Sequence, residues 1–588
     1  VRYLDNGRLL TLLFVVAYGA LAAGLLLAAG AAGTLVVGCR ESLALRCAAG
    51  FALWGEALFL LAAVGSLRPI PIALLFILVL VAAVLFRWRR AESAPRIRLT
   101  RVDALAISVG VVMCGGMLLL ALHPPLAFDE TMYHQPFVRA LTIGQRLQFL
   151  GGLRFPLFPQ FQELLAVPAA LIGGDVATHL LPLLETIVTA GIVIVWGERR
   201  QQRRAGLLAA ALLCGNPIVL HLGTILYVDS ALLLFVTSGF YMLDRALDSG
   251  GGVVTNVPTT ARDRRRALLL SALFFGAACS TKYLGGYFAL AALLIVIFVR
   301  RRDAPLFAIA IAIVALPTTF WIWSKTGNPL FPFASALFGA NDWQVALEPL
   351  PEHPFVSAIR VIWDVTFARG RVGYQPPMTP FLIAMLLAVL VAGRRDLRAR
   401  MVLILAAMYL MVFMFLPKDA RYLMPLLPLL AVSASVFAAK RFPRAIPLLS
   451  LLAIAPGVAY IGYRLFVMGL PPIDASSRAA ETRARVPAYA ALQRAGASRV
   501  YVCGGEQLQY FARGTLLGDH DGPHSYARVI TPDAALLAMR LRALDVEYYL
   551  VVPEHCSGPR MDGVLELEFA DAGAQLWRVQ RPPRRSSS

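Results

Sequence analysis

Val102-Asp-Ala-Leu-Ala-Ile-Ser-Val-Gly-Val-Val-Met-Cys-Gly-Gly-Met-Leu-Leu-Leu-Ala-Leu122 runs directly into His123-Pro-Pro-Leu-Ala-Phe-Asp-Glu-Thr-Met-Tyr-His-Gln-Pro136. The first stretch is apolar and long enough to cross ~30 Å of hydrocarbon as a helix. The second packs two adjacent acids (Asp129, Glu130), two histidines (His123, His134) and Tyr133 into a few residues. A membrane-spanning helix that opens onto a polar loop sets both the fold class and the first place to look for chemistry.

The same alternation recurs along the chain. The composition is 58% hydrophobic and 15% charged, with a mean hydropathy of +0.68, more apolar surface than a soluble protein could bury. Apolar runs fall near 9–37, 45–66, 69–86, 102–122, 176–196, 205–222, 224–245, 266–282, 284–300, 304–323, 376–393, 400–417, 421–439 and 445–468. They predict an α-helical polytopic membrane protein of about fourteen spans. The first run is too long for a cleavable signal peptide and is followed by further spans. The net charge of +20 does not point to nucleic acid, because the arginines sit in short loops between the runs.

Those loops set the orientation. Arg87-Trp-Arg-Arg90 with Arg96, Arg98 and Arg101 marks one side, joined by Arg199, Arg200, Arg203 and Arg204. Arg264-Arg-Arg266, Arg300-Arg-Arg302, Arg394-Arg395 and Lys440-Arg441 follow on that side, the cytoplasmic one by the positive-inside rule. The Asp129 loop, the segment 324–375, the Lys418–Arg421 turn and the tail then lie outside, as do both termini. The expected division is an N-terminal set of helices (1–101), a transmembrane catalytic domain (102–468) with outer loops 123–175 and 324–375, and an outer-face domain (469–588). Within the first outer loop, 161–173 is too short to span easily and predicts an interfacial or buried helix. Residues 249–260 read as a flexible linker. In the tail, a helical stretch (482–496), the strand Arg499–Cys503, a helix (532–544), the strand Val546–Val552 and a last strand Gln575–Val579 predict a small α/β domain. Cys503 and Cys556, both in the tail, could pair outside the cytoplasm. Cys39, Cys47, Cys114, Cys214 and Cys279 read as small core residues.

Two consecutive acids on a loop point in different directions and can do different work. One can accept a proton from a hydroxyl or amine, and a carboxylate at an apolar boundary suits that task. The other can hold an acceptor, a cation or a backbone amide. The plain alternative is an acidic N-cap at Asp129. Lys282, in Ser280-Thr-Lys-Tyr283, and Arg421, in Lys418-Asp-Ala-Arg-Tyr-Leu-Met-Pro425, are cations on the face that the topology rule keeps poor in them. A phosphate at the outer leaflet would account for both, and snorkelling from a helix end is the alternative. Asp229, in a tight outer turn, is either a cap or part of the same site. His134 follows Glu130 by one helical turn and could share its face, whereas His179 and His221 read as interfacial. Gly327-Asn-Pro-Leu-Phe-Pro332 reads as a turn, with Asn328 a candidate for shaping a cleft. No spacing demands a metal, although a divalent ion is compatible with the acids.

These pieces, in this order and on one side, resemble the GT-C superfamily of integral-membrane glycosyltransferases. They look most like its bacterial branch related to protein O-mannosyltransferases and the lipid A aminoarabinose transferase. The resemblance rests on Phe128–His134, Asp229, Ser280-Thr-Lys-Tyr-Leu-Gly285, Thr326–Pro332, Arg421-Tyr-Leu-Met-Pro425 and the tail's Leu544–Val551 and Gln575–Val579. It implies an inner-membrane enzyme with its active site and C-terminal domain facing the periplasm. The enzyme would move a sugar from a polyprenyl-phosphate donor to a glycan, lipid or protein acceptor, inverting the anomeric centre. It further implies Asp129 as catalytic base and Glu130 in acceptor or loop positioning. Arg421, Lys282 and Tyr422 would hold the donor phosphate, with Asp229, Tyr133, His134 and Asn328 in support. The departure from the family is at the front, where three spans precede the helix that normally opens the fold. The rival readings are a transporter or flippase, for which only Glu56 and Glu185 lie deep in spans, and a non-catalytic envelope assembly protein.

Overall fold

The computed structural model describes residues 2–88, 100–200, 203–248, 260–339, 341–343, 345, 348–373, 375–553, 556 and 565–580. Arg89, Arg90, Arg96 and Arg98 of the first basic loop, and all of the expected linker except Thr260, lie outside them. Residue contacts group the chain into two units. One comprises Val1–His123, Pro159–Phe320 and Leu347–Pro471; the other comprises Pro124–Phe158, Trp321–Ala346 and Pro472–Ser588.

The first unit is a bundle of apolar helices, and each of the fourteen runs is helical. Among the described residues, nine segments are long and apolar enough to cross a membrane, and one of these, Leu284–Thr326, is two helices joined at Arg301–Asp303. The chain is therefore a multi-pass membrane protein. Several expected boundaries shift, and proline is the reason. The run at 205–222 divides at Gly215-Asn-Pro217 into Arg203–Cys214 and Pro217–Leu222. The run at 376–393 becomes helical only at Phe381, after Pro376, Pro377 and Pro380. The run at 421–439 opens as the 3-10 turn Ala420–Leu426, which contains Pro425, before the helix Leu427–Arg441. Proline lacks the N–H a helix needs, so each break must find other partners in an apolar surround. Asn216 supplies them at the first break. Its Oδ1 accepts from the Thr379 amide at 2.9 Å and the Thr379 hydroxyl at 3.1 Å, and its Nδ2 donates to the Leu212 carbonyl at 2.7 Å.

The stretch expected to be interfacial or buried forms the helix Phe161–Ala177, with its first turns buried. Gln162 on it donates to Glu185 at 3.0 Å, and both are fully buried, so one of the two deep acids has a partner. The N-terminal helices Arg2–Val37 and Leu43–Ala63 cross so closely that a Cβ on Gly50 would strike the backbone of Ala29, and one on Gly33 the backbone of Arg46. Small residues allow such approach where lipid supplies no hydrophobic drive between helices.

The second unit is built around a mixed sheet. Its strands are β1 (Val500–Cys503), β2 (Leu516–Leu517), β3 (Tyr548–Val551), β4 (Leu565–Ala570) and β5 (Gln575–Val579), in spatial order β2-β1-β3-β5-β4. β1 lies parallel to β2 and β3, and β5 lies antiparallel to β3 and β4. Alternation sends Val500, Val502 and Leu550 to one core with Leu492 and Leu508. Tyr501, Tyr549 and Val551 go to a second core with Leu537 and Leu541. The α/β domain and its three expected strands are present. The helix expected over 482–496 is two, Ala475–Arg485 and Tyr489–Ala495, because Pro487 interrupts it and Ala488 turns left-handed at φ 63°. β4 escapes sequence reading because its Leu-Glu-Leu-Glu pattern, mostly exposed at the sheet edge, carries little hydrophobic signal. Cys503 and Cys556 form a disulfide, Cα to Cα 6.0 Å.

Beside β1, this unit buries acids. Glu506 accepts from the Tyr526 hydroxyl at 2.7 Å and faces His520 Nε2 at 3.3 Å. Asp519 accepts from the His520 amide and lies 3.8 Å from Arg154, which also meets Asp521 at 3.4 Å. Burial pushes the Asp519 carboxyl up to about 7, against the opposing pull of Arg154 and with help from the negative Glu506.

Two expectations follow. Gly50→Leu should lower the midpoint of thermal unfolding of the full chain in detergent, at a cost of about 3 kcal/mol from backbone overpacking. Gly24→Leu, which meets nothing within 4 Å, should leave it unchanged. The second concerns pH. Because the folded unit holds a proton on Asp519 that the unfolded chain releases near 3.8, stability falls as pH rises from 3.8 to about 7 and stays low above that. Hydrogen-exchange protection of Val500–Cys503 should be greater at pH 5 than at pH 8 after correction for intrinsic exchange. Asp519→Asn should flatten the difference.

Candidate active site

In the helical unit, three segments far apart in sequence meet at the end of one helix. Asp229 is the first residue of the helix Asp229–Leu247, where a carboxylate is favoured by the helix dipole. Lys282 is the residue at which the helix Ala261–Thr281 stops, its backbone already extended. Its ammonium reaches the Asp229 Oδ1 at 2.8 Å and stands 4.6 Å from the centre of the Tyr422 ring. Asp229 is buried, and its Oδ2 has no hydrogen-bond partner among the described residues.

Tyr422 and Arg421 come from the proline-bearing 3-10 turn Ala420–Leu426. Asp419 caps that turn by accepting from the Arg421 amide at 3.0 Å, and its other oxygen meets Arg421 Nε at 3.1 Å. The guanidinium lies 5.1 Å from the Tyr227 ring centre and 5.2 Å from that of Tyr422. Tyr409 anchors the turn from behind, its hydroxyl donating to the Tyr422 carbonyl at 2.6 Å. Burial raises the Asp419 carboxyl above its ordinary value while Arg421 holds it down. Each cation is thus oriented by one acid and one or two aromatic faces. The Lys282 ammonium has three N–H donors, more than its one carboxylate contact uses, so it can still donate to an anionic oxygen.

Asp419 and Tyr227 were not singled out from sequence. The alternating charges of Lys418-Asp-Ala-Arg421 were the available signal for Asp419. Tyr227, two residues before Asp229, had none. Lys418 turns the other way, its ammonium donating to the carbonyls of Met414 at 2.7 Å and Leu416 at 2.9 Å, where the helix Leu397–Phe413 ends.

In the other unit, Glu130–His134 forms one π-helical turn leading into the helix Gln135–Gly144. Such a turn widens the backbone and is frequent at functional sites. Asp129 is helical in backbone and makes no side-chain cap, so the capping alternative does not describe it. Half-buried, it accepts from the Tyr133 hydroxyl at 3.1 Å. Tyr133 is held in turn by an aromatic box: His134 at 4.2 Å, Phe155 at 5.4 Å and Phe158 at 5.9 Å between ring centres. Glu130 is fully buried and accepts from the Ala127 amide at 3.4 Å, bracing the loop ahead of Asp129. His134 is buried beside it. Asn328 spends both ends of its amide on its own turn, donating to the Phe333 carbonyl at 2.7 Å and accepting from the Leu330 amide at 2.8 Å. No group of acids, histidines and cysteines among the described residues is arranged to hold a metal.

Comparison with known proteins gives three kinds of match. A family model described as dolichyl-phosphate-mannose-protein mannosyltransferase matches residues 159–323, and one described as SF2091/S2213 matches 477–578. An uncharacterized Shigella flexneri protein, SF2093/S2215, is 32% identical over 190 residues, 31% of this chain and 92% of that protein. ArnT from Cupriavidus metallidurans in the apo state superposes with a TM-score of 0.56 at 13% identity, over 81% of this chain and 97% of that one. ArnT bound to undecaprenyl phosphate gives 0.51 at 14% identity, over 81% and 98%. The chain belongs to the family of the Shigella protein, and its fold is that of the GT-C superfamily of integral-membrane glycosyltransferases.

Proposed function

We propose that this protein is an inverting glycosyltransferase that takes a sugar from a polyprenyl-phosphate donor and passes it to a hydroxyl or amine at the outer face of a bacterial inner membrane. The observation that carries the reading is the ion-pair cluster of Asp229, Lys282, Asp419 and Arg421, gathered at one end of a GT-C bundle. ArnT, which shares the fold, has been crystallised with undecaprenyl phosphate, a lipid of the proposed donor class. The acceptor is proposed only by class, as a glycan, lipid or protein.

Lys282 and Arg421 receive the donor phosphate, and Tyr422, lying between their charges, keeps both pointed at it. Asp229 supports Lys282. Asp129 takes the proton from the acceptor, steadied by Tyr133, while Glu130 and His134 brace its turn and Asn328 shapes its own loop. The acceptor oxygen or nitrogen forms the new bond to the anomeric carbon. The bond from that carbon to the phosphate oxygen breaks, and its electron pair leaves with the lipid phosphate. A phosphate leaving group needs neutralising rather than protonating, so two cations suffice there. Attack opposite the departing group inverts the centre.

Asp129→Asn keeps the shape and removes the base, a contribution of about 10²–10⁴-fold. Transfer from labelled lipid-linked sugar in membranes should fall by that order while expression and detergent extraction are unchanged; near-wild-type transfer would sink Asp129 as the base. Arg421→Ala should act mainly on the donor, raising its apparent KM by about tenfold or more, as expected for a lost charge-assisted contact. An unchanged KM would remove Arg421 from the phosphate site. The two variants test the two units independently.

A further inference from the structure

The helix that begins at Asp229 ends beside a second site. At its other end, about 27 Å away by helical rise, a cavity of about 850 Å³ opens among the helices of the first unit. Its walls are apolar, with Phe240, Leu243, Val299, Val432 and Val436 among them. Its rim is basic. Arg200, Arg394, Arg395, Arg398, Lys440 and Arg441 all border it, against only Asp244 and Asp396.

The acids are already engaged. Asp244 meets Arg200 at 3.7 Å and Arg398 at 3.3 Å, and Arg398 also meets Asp248 at 3.0 Å. Asp396 accepts from the Arg398 amide at 2.9 Å as a helix cap. Arg394, Arg395, Lys440 and Arg441 have no acid within ion-pair distance among the described residues, and all four are exposed. The rim therefore carries uncompensated positive charge, and the space behind it is hydrocarbon-like.

We infer that this cavity binds an anionic glycerophospholipid, its phosphodiester on Arg394, Arg395, Lys440 and Arg441 and an acyl chain along the apolar wall. The topology rule explains why arginines gather at this end of the helices, but it requires no cavity. Basic pockets between membrane helices on the positive side are suited to anionic headgroups, with each cation adding to the attraction. An apolar wall favours a lipid over a free phosphate, because an ion alone would leave most of the cavity without a matching surface. The phosphodiester-binding rim is separate from the proposed donor site, since Asp244, Lys440 and Arg441 lie at the far ends of the helices Asp229–Leu247 and Leu427–Arg441, while the apolar wall runs back along the second helix as far as Leu429.

The test uses the purified, delipidated full chain and native mass spectrometry with two probes, dioleoyl phosphatidylglycerol and dioleoyl phosphatidylcholine. The wild type should retain phosphatidylglycerol at least about tenfold better. The triple variant Arg394→Gln, Arg395→Gln, Lys440→Gln should lose that preference by about tenfold. The double variant Arg301→Gln, Arg302→Gln, at a turn on the same side but outside the cavity, should keep it. A loss shared by both variants would mean general surface charge and overturn the site, as would a preference that survives the triple variant. Because charge removal alone could disturb insertion, Val436→Trp provides a second arm. It fills the wall without touching the rim and should also reduce phosphatidylglycerol retention; unchanged retention overturns the acyl-chain assignment. Millimolar inorganic phosphate should not displace the lipid, and displacement would reassign the rim to a free anion.

Discussion

Hydrocarbon accepts no unpaired backbone N–H or C=O, and the remainder of the structure follows from that constraint. It turns every apolar run into helix and places the cost on the breaks. At Asn216 the break is repaired by a side chain that takes both the amide and the hydroxyl of Thr379. At Ala420–Leu426 it is repaired by Asp419 below and by Tyr409 behind. The second repair presents Arg421 and Tyr422 as it closes the turn. The same prolines that shorten the spans therefore create the polar ends at which charged side chains can be held.

Charge is distributed along the bundle in the same spirit. At one end of the helix from Asp229 to Leu247, two cations each face one acid and an aromatic ring, a balanced arrangement that positions donors with little net charge. At the other end the acids are fewer than the bases and the excess is positive. One helix thus joins an oriented, neutralised cluster to an open cationic rim. The first suits a ligand that must be placed for chemistry; the second suits one that must only be retained.

The C-terminal unit follows different physics. Its sheet has two apolar faces with tyrosines at the centre of one of them, and it tolerates buried acids because hydroxyls and an arginine are near. Asp519 and Glu506 could not be chosen from the other acids of the tail by sequence, since burial depends on which strand edge folds over them. β4 was unreadable for a related reason: at an edge, half the pattern that identifies a strand is given to solvent. The split at Pro487 is missing from the expected helix over 482–496 although the chain carries its signal, since proline interrupts a continuous helix.

Hydropathy by itself determined that the chain is polytopic and where its helices lie, because the cost of burying polar backbone in lipid is paid locally and leaves a local trace. The alternation around Val500–Cys503 and Tyr548–Val551 likewise announced the α/β tail. Order and residue type brought out Asp129, Asp229, Lys282 and Arg421 as candidates. Only the tertiary structure decided that Asp229 is bound to Lys282, that Tyr227 belongs with Arg421, and that Asp129 is held by Tyr133 rather than spent on a cap. Those are contacts between segments separated by tens to hundreds of residues, or set by one widened turn, and no periodicity in the chain encodes them.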